Sequence, residues 1–269
     1  MAYTPMYEMW RVVVEGAPFD VMLDLGHGED FPLTTHPWFF GVRIPMTNRD
    51  ENGLPSEEEA ARLDAVENRV RETLRSRDGV YVGRRTGMGN RDLLIYFPGR
   101  PRGLEDRIRA SIGMEILFIS RADPRWEGYQ QLLPGEKEWR SIEDGKLIAG
   151  LVNASSDPDA VHTLEHTVET SLNKGAEALV KLMEKLELED VVVEGERPSL
   201  RVHGVQRTTL DPTEILRVSW VLEQKAPKAR GAYLGWQAEI VPFADEDDGD
   251  DGGAASIVDK ILADLDMDG

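Results

Sequence analysis

The chain has 269 residues with 50 acidic and 31 basic side chains, a formal net charge of -19, 41% hydrophobic residues and no cysteine. That apolar fraction excludes a wholly disordered chain, and the lack of cysteine excludes a disulfide scaffold, a thiolate zinc site and a cysteine nucleophile. No apolar run reaches the roughly 18 residues of a membrane span, and MAYTPMYEMWRVVV carries Glu8 and no basic, Leu-rich leader, so a soluble cytoplasmic protein of about two domains is expected.

Met9 to Glu15 and Asp20 to Leu25 are apolar-rich runs separated by Gly16 and Pro18, and read as an N-terminal β-hairpin. A third strand is expected at Trp38 to Ile44. Ser56 and Glu59 have the spacing of a capping box, and Leu63, Val66, Val70 and Leu74 then form one helical stripe. Val80 to Arg85 and Asp92 to Phe97 read as strands. Pro101 to Ala110 reads as a helix, and Met114 to Ser120 as a strand. From Trp38 onward the order is β-α-β-β-α-β, the ferredoxin-like order. Asp123-Pro124 is expected to start a short helix, with Asp as cap, Pro at the first helical position, and Trp126, Tyr129 and Leu133 on one side. Residues 135–154 read as a connector of mixed character between domains at 1–134 and 155–243.

The second half repeats the order. Val161 to Glu169 is a candidate strand, and Leu172, Ala176, Leu179, Met183 and Leu186 form an amphipathic stripe. Val191 to Val193 and Leu200 to Thr208 read as strands. Asp211-Pro212-Thr213-Glu214 caps a helix that Pro227 stops, and Tyr233 to Val241 is the last strand. The expected fold class is therefore α+β, with two ferredoxin-like domains, an extra hairpin on the first, and a disordered acidic tail. That tail, 244–269, holds ten Asp or Glu and one Lys, a net of -9. Its block Asp245, Glu246, Asp247, Asp248, Asp250 and Asp251 repels nucleic acid and suits a basic segment of a protein partner. Ser256 to Leu265 beyond it has the pattern of a short amphipathic helix.

Three motifs invite chemistry. His162-Thr163-Leu164-Glu165-His166 matches H-x-x-E-H, a zinc hydrolase pattern that requires a helix. A strand would turn Glu165 away from both histidines. Gly87-Met88-Gly89 lies between strands, with no Lys-Ser/Thr pair after it, and reads as a hairpin turn. The flanking Arg84, Arg85 and Arg91 are candidates to grip an anionic ligand. Trp236, between Gly235 and Gln237, is either core or an interface aromatic. No metal and no cofactor are expected.

Ser156-Asp157-Pro158-Asp159-Ala160-Val161-His162-Thr163-Leu164-Glu165-His166, together with Tyr233-Leu234-Gly235-Trp236 and the acidic stretch beyond, resembles the regulator of ribonuclease E activity B family over about Ser155 to Asp251. Leu234 stands where that family carries an acidic residue. Gly53-Leu54-Pro55 before a Glu-rich helix, then Asp123-Pro124-Arg125-Trp126-Glu127-Gly128-Tyr129 and Leu132-Leu133-Pro134, resemble a bacterial domain of unknown function, number six hundred ninety-five, over roughly Met9 to Pro134. These resemblances imply a ferredoxin-like, non-enzymatic protein that binds an RNA-degrading endonuclease and lowers its activity. On that reading, Trp236 and the six acidic residues of the tail contact the partner. The rival readings are an enzyme or anionic-ligand module in the first domain and a metal-dependent hydrolase at His162, Glu165 and His166.

Overall fold

The computed structural model describes residues 3–26, 31–74 and 77–243. The acidic block and the Ser256 to Leu265 segment lie outside the described residues. In chain order the first sheet takes β1 (Tyr7–Val14), β2 (Ala17–Asp24), β3 (Trp38–Pro45), β4 (Val80–Gly87), β5 (Asn90–Phe97) and β6 (Leu117–Ala122). Helices α1 (Glu57–Leu74) and α2 (Leu104–Ile112) connect β3 to β4 and β5 to β6. The sheet order is β1-β2-β4-β5-β3-β6, with every neighbouring pair antiparallel. Two tight turns set its hairpins. Glu15-Gly16 and Met88-Gly89 have positive φ at both positions (53° and 82°, 49° and 75°). That backbone twist matches the strands it joins, so Gly87-Met88-Gly89 is a hairpin turn.

This sheet is apolar on both sides, because Phe39 and Phe40, and Leu94 and Ile95, alternate across it. Phe40, Leu93, Ile95 and Phe97 pack on Leu63, Val66 and Val70 of α1 and on Leu104 and Ile108 of α2. Trp10, Leu23, Leu94 and Tyr96 face the other way. They meet Trp126 and Tyr129, on and before the short α3 (Glu127–Gln130), and Ile142 of α4 (Glu136–Asn153).

The second sheet holds β7 (His162–Thr170), β8 (Glu189–Glu196), β9 (Ser199–Thr208) and β10 (Gly231–Ala238), in the antiparallel order β10-β7-β9-β8. Helices α5 (Asn173–Lys185) and α6 (Pro212–Lys225) cover one face, where Val168, Val202, Leu179, Met183, Val218 and Leu222 form the core. A smaller cluster joins Leu164, Ile215 and Trp236 to Ile148 and Leu151 of α4.

Several local expectations need correction. Residues 136–153 form an 18-residue helix rather than a connector of mixed character. Its side chains enter both cores. The Asp123 carboxylate does cap α3, accepting from the N–H groups of Glu127 and Gly128 at 2.8 and 3.0 Å. Pro124 lies outside that helix, however, because Trp126 takes φ 55° just before it, and Leu133 is exposed. At α1, Ser56 Oγ accepts from the Glu59 N–H, but the reciprocal half of the capping box is absent. The Glu59 carboxylate instead accepts from Thr47 N, Thr47 Oγ1 and Arg62. Those bonds, the Arg62 guanidinium foremost, hold it down to about 2.

Candidate functional site

β7 explains the H-x-x-E-H motif. His162, Leu164, His166, Val168 and Thr170 alternate onto the buried face, and Glu165 points to the other side. The strand therefore removes the hydrolase reading, because base and would-be ligands lie on opposite faces of a sheet. Each imidazole nitrogen also has a partner. Gln206 donates through Nε2 to the Glu214 carbonyl at 3.1 Å, so its Oε1 must accept from His166 Nε2–H at 2.9 Å. His166 Nδ1 is then left to accept from Tyr233 Oη at 2.8 Å. Burial pushes His166 down to about 4, which keeps it neutral in this network. His162 Nδ1 donates to the Ala160 carbonyl at 2.9 Å, and its Nε2 accepts from Ser156 Oγ at 2.7 Å. That Ser–His contact has the spacing of an activated nucleophile. Both side chains are wholly buried, though, and Ser156 Oγ also accepts from the Val241 N–H at 2.9 Å. Ser156 therefore links the segment after β10 to the first residue of β7.

The three arginines do not converge. Arg84 and Arg85 are adjacent on β4 and so face opposite sides. Arg84 and Arg91 turn toward α1, where both pair with Asp64 and Glu67 at distances from 2.5 to 3.3 Å. Arg85 lies on the other side. It donates to Asp92 at 2.9 Å, and Asp92 also receives Arg43 at 2.6 and 2.9 Å. Burial raises the Asp92 carboxyl, but the two guanidiniums outweigh it and lower it. The anion grip by all three arginines is thus corrected to two separate ion-pair clusters.

Trp236 belongs to the core, at 6% exposure, and not to a surface open to a partner. A bulge puts it there. Tyr233 pairs with Val168 and Gly235 with Thr167, so Leu234 is the extra residue and points outward, 54% exposed. Tyr233 and Trp236, three apart, can then both face inward. Trp236 Nε1 donates to Asp144 of α4 at 2.9 Å. The same carboxylate accepts from Ser219 Oγ of α6 at 2.5 Å and from Arg140 at 2.9 and 3.1 Å, and it is 1% exposed. Arg140 in turn lies 5.6 Å from the Tyr233 ring. Asp144 therefore ties α4, α6 and β10 together. Sequence reasoning missed it, although the i, i+4 spacing of Arg140 and Asp144 is a readable ion-pair signal.

The outer face of the second sheet has no helix over it among the described residues. Register places Glu165 and Glu169 of β7, Glu189, Glu194 and Glu196 of β8, and Arg201, His203 and Arg207 of β9 on that side. Five carboxylates face two guanidiniums there. Arg207 pairs with Glu189 at 2.9 Å and Arg201 with Glu169 at 3.7 Å. His203 Nδ1 lies 3.1 Å from Thr167 Oγ1 and 3.4 Å from Glu165. The surface is thus mainly polar, with Val192, Val205 and Leu234 among the charges, partly cross-linked and acidic in balance. Among the described residues no helix is long and apolar enough to cross a membrane.

Two antiparallel sheets, each with two helices on one face and joined through a helix that enters both cores, define an α+β protein whose second unit presents an open acidic sheet face. Residues 7–133 match a family of unknown function (DUF695). Residues 141–238 match the regulator of ribonuclease activity B family (RraB). Both resemblances read from the sequence are borne out. The second match begins inside α4, upstream of Ser155. No curated protein matches the chain.

Proposed function

We propose that the chain is a non-enzymatic regulator that lowers the activity of an endoribonuclease of the ribonuclease E type by protein–protein contact in the cytoplasm. The observation that carries this reading is the match of residues 141–238 to regulators of ribonuclease activity. The acidic balance of the open sheet face supports it, because it complements a basic segment of a partner. The order β10-β7-β9-β8, with α5 and α6 on one face, supports a ferredoxin-like topology for this unit. The first unit has the same order around β3, with the β1–β2 hairpin added at the β4 edge.

In this mechanism the acidic block Asp245 to Asp251 docks first, through long-range attraction, and the folded unit supplies the shaped surface. The experiment is a binding titration of a ribonuclease E type enzyme against the full chain and against a chain ending at Phe243, at low and high salt. Ending there keeps the Ser156–Pro242 bridge. The expected result is a complex with the full chain that weakens on truncation and in high salt. A complex indifferent to both would remove the tail from the mechanism. No complex at all would remove the regulator reading.

A further inference from the structure

On the side of the first sheet away from α1 and α2 lies a cavity of about 570 Å³, within the roughly 300–1,000 Å³ range of small-molecule sites. Trp10, Phe39, Leu94, Ile119 and Leu132 give it apolar walls. Gly41 lines it as well. A Cβ there would lie 3.1 Å from the Phe39 ring and 3.6 Å from Ile119, so a larger residue would encroach on the space between them. Arg43, Asp92 and Arg85 also line this space. Two guanidiniums share the Asp92 carboxylate there, and Glu138 is the other charged side chain on the lining, so its formal charges balance. Arg43 already spends two nitrogens on Asp92, whereas Arg85 spends one among the described residues and lies 5.0 Å from the Phe19 ring. Arg85 therefore keeps donors for a second acceptor, and a planar guanidinium matches a carboxylate.

We propose that this cavity binds a small amphiphilic monocarboxylate, with its hydrocarbon part along the apolar walls and its carboxylate on Arg85 beside Arg43. The unspent Arg85 donors suit one carboxylate, and Asp92 already shows carboxylate recognition by the same two arginines. Glu138, in the first turn of α4, also lines the space and disfavours more highly charged anions. This site lies in the unit of unknown function and stands or falls independently of the ribonuclease reading.

The test is calorimetric titration of the full chain with decanoate below its micelle concentration, beside decan-1-ol and decyltrimethylammonium. Decanoate is expected to bind at one site per chain, decanol about tenfold or more weaker, and the cation not measurably. Arg85→Gln is expected to weaken decanoate about tenfold and leave decanol unchanged. Its fold is retained, because Arg43 still neutralises Asp92. Gly41→Val is expected to abolish binding of both probes by filling the space. Should that variant misfold, Ile119→Asp serves instead: Ile119 is 52% exposed, so the change is tolerated, and it is expected to repel decanoate. Absence of decanoate binding, equal binding of the three probes, or unchanged decanoate affinity in Arg85→Gln would each overturn the proposal.

Discussion

At the scale of single residues, the buried polar groups carry the most consequence. Asp144 accepts from Arg140, Ser219 and Trp236 inside the junction of α4, α6 and β10. Removing one partner of a buried pair leaves the other charge unpaired, at a cost of about 3–5 kcal/mol. Asp144→Ala is therefore expected to lower unfolding free energy by that order, measured by urea denaturation. His166 makes a different prediction. Its pKa in the fold is about 4, below the ordinary 6.5. The unfolded chain thus binds more protons between those values, so stability is complete above pH 6.5 and falls as pH falls toward 4. From pH 7 to pH 5 the loss is about 2 kcal/mol. His166→Gln is expected to lose correspondingly less over that interval, and equal losses in the two proteins would contradict the assignment. Much of this was legible. Period-two alternation puts His162 and His166 on one face and Glu165 on the other, and it separates Arg84 from Arg85. The partners were not legible, because Asp64, Glu67 and Gln206 reach these residues only through the fold.

At the scale of elements, legibility follows from how many cores an element serves. α1 and α5 each bury one stripe in one core, so their apolar spacing gives them away. α4 divides its apolar residues between Ile142 in one core and Ile148 and Leu151 in another, while Trp139, Leu147 and Val152 stay exposed. With Gly145 and Gly150 inside it and a buried Asp144, it shows no single stripe. Ile142→Ala should cost about 2–4 kcal/mol, although it lies in a segment that reads as a linker. Its measured ΔΔG from urea denaturation checks the packing role. A second element prediction runs against local propensity. Alanine normally improves a helix over glycine by about 1 kcal/mol. In α5, however, a Cβ on Gly175 would meet the Ala229 carbonyl oxygen at 2.4 Å and Thr170 Oγ1 at 2.5 Å. Gly175→Ala is therefore expected to lower the melting temperature, and a rise would contradict the close approach of α5 to residues 226–229.

At the scale of the whole molecule, a helix shared by two cores makes the units energetically dependent. Urea unfolding followed by tryptophan fluorescence and by far-ultraviolet dichroism is expected to give one coincident transition. Asp144→Ala, by loosening α4 from the second sheet, is expected to separate the two curves. Composition already indicated a folded, strongly acidic chain, and element order indicated two similar α+β units. The acidic outer face of the second sheet was not visible at that level, since it depends on the register that sets Glu165, Glu169, Glu189 and Glu194 on one side. The functional proposal rests on this face and on the family match of residues 141–238. Its most direct test is the rate at which a purified ribonuclease E type enzyme cleaves a defined RNA, measured as the full chain is added. The expected result is inhibition that saturates with added chain and is relieved by salt. An unchanged cleavage rate at a large excess of chain would contradict the regulator reading.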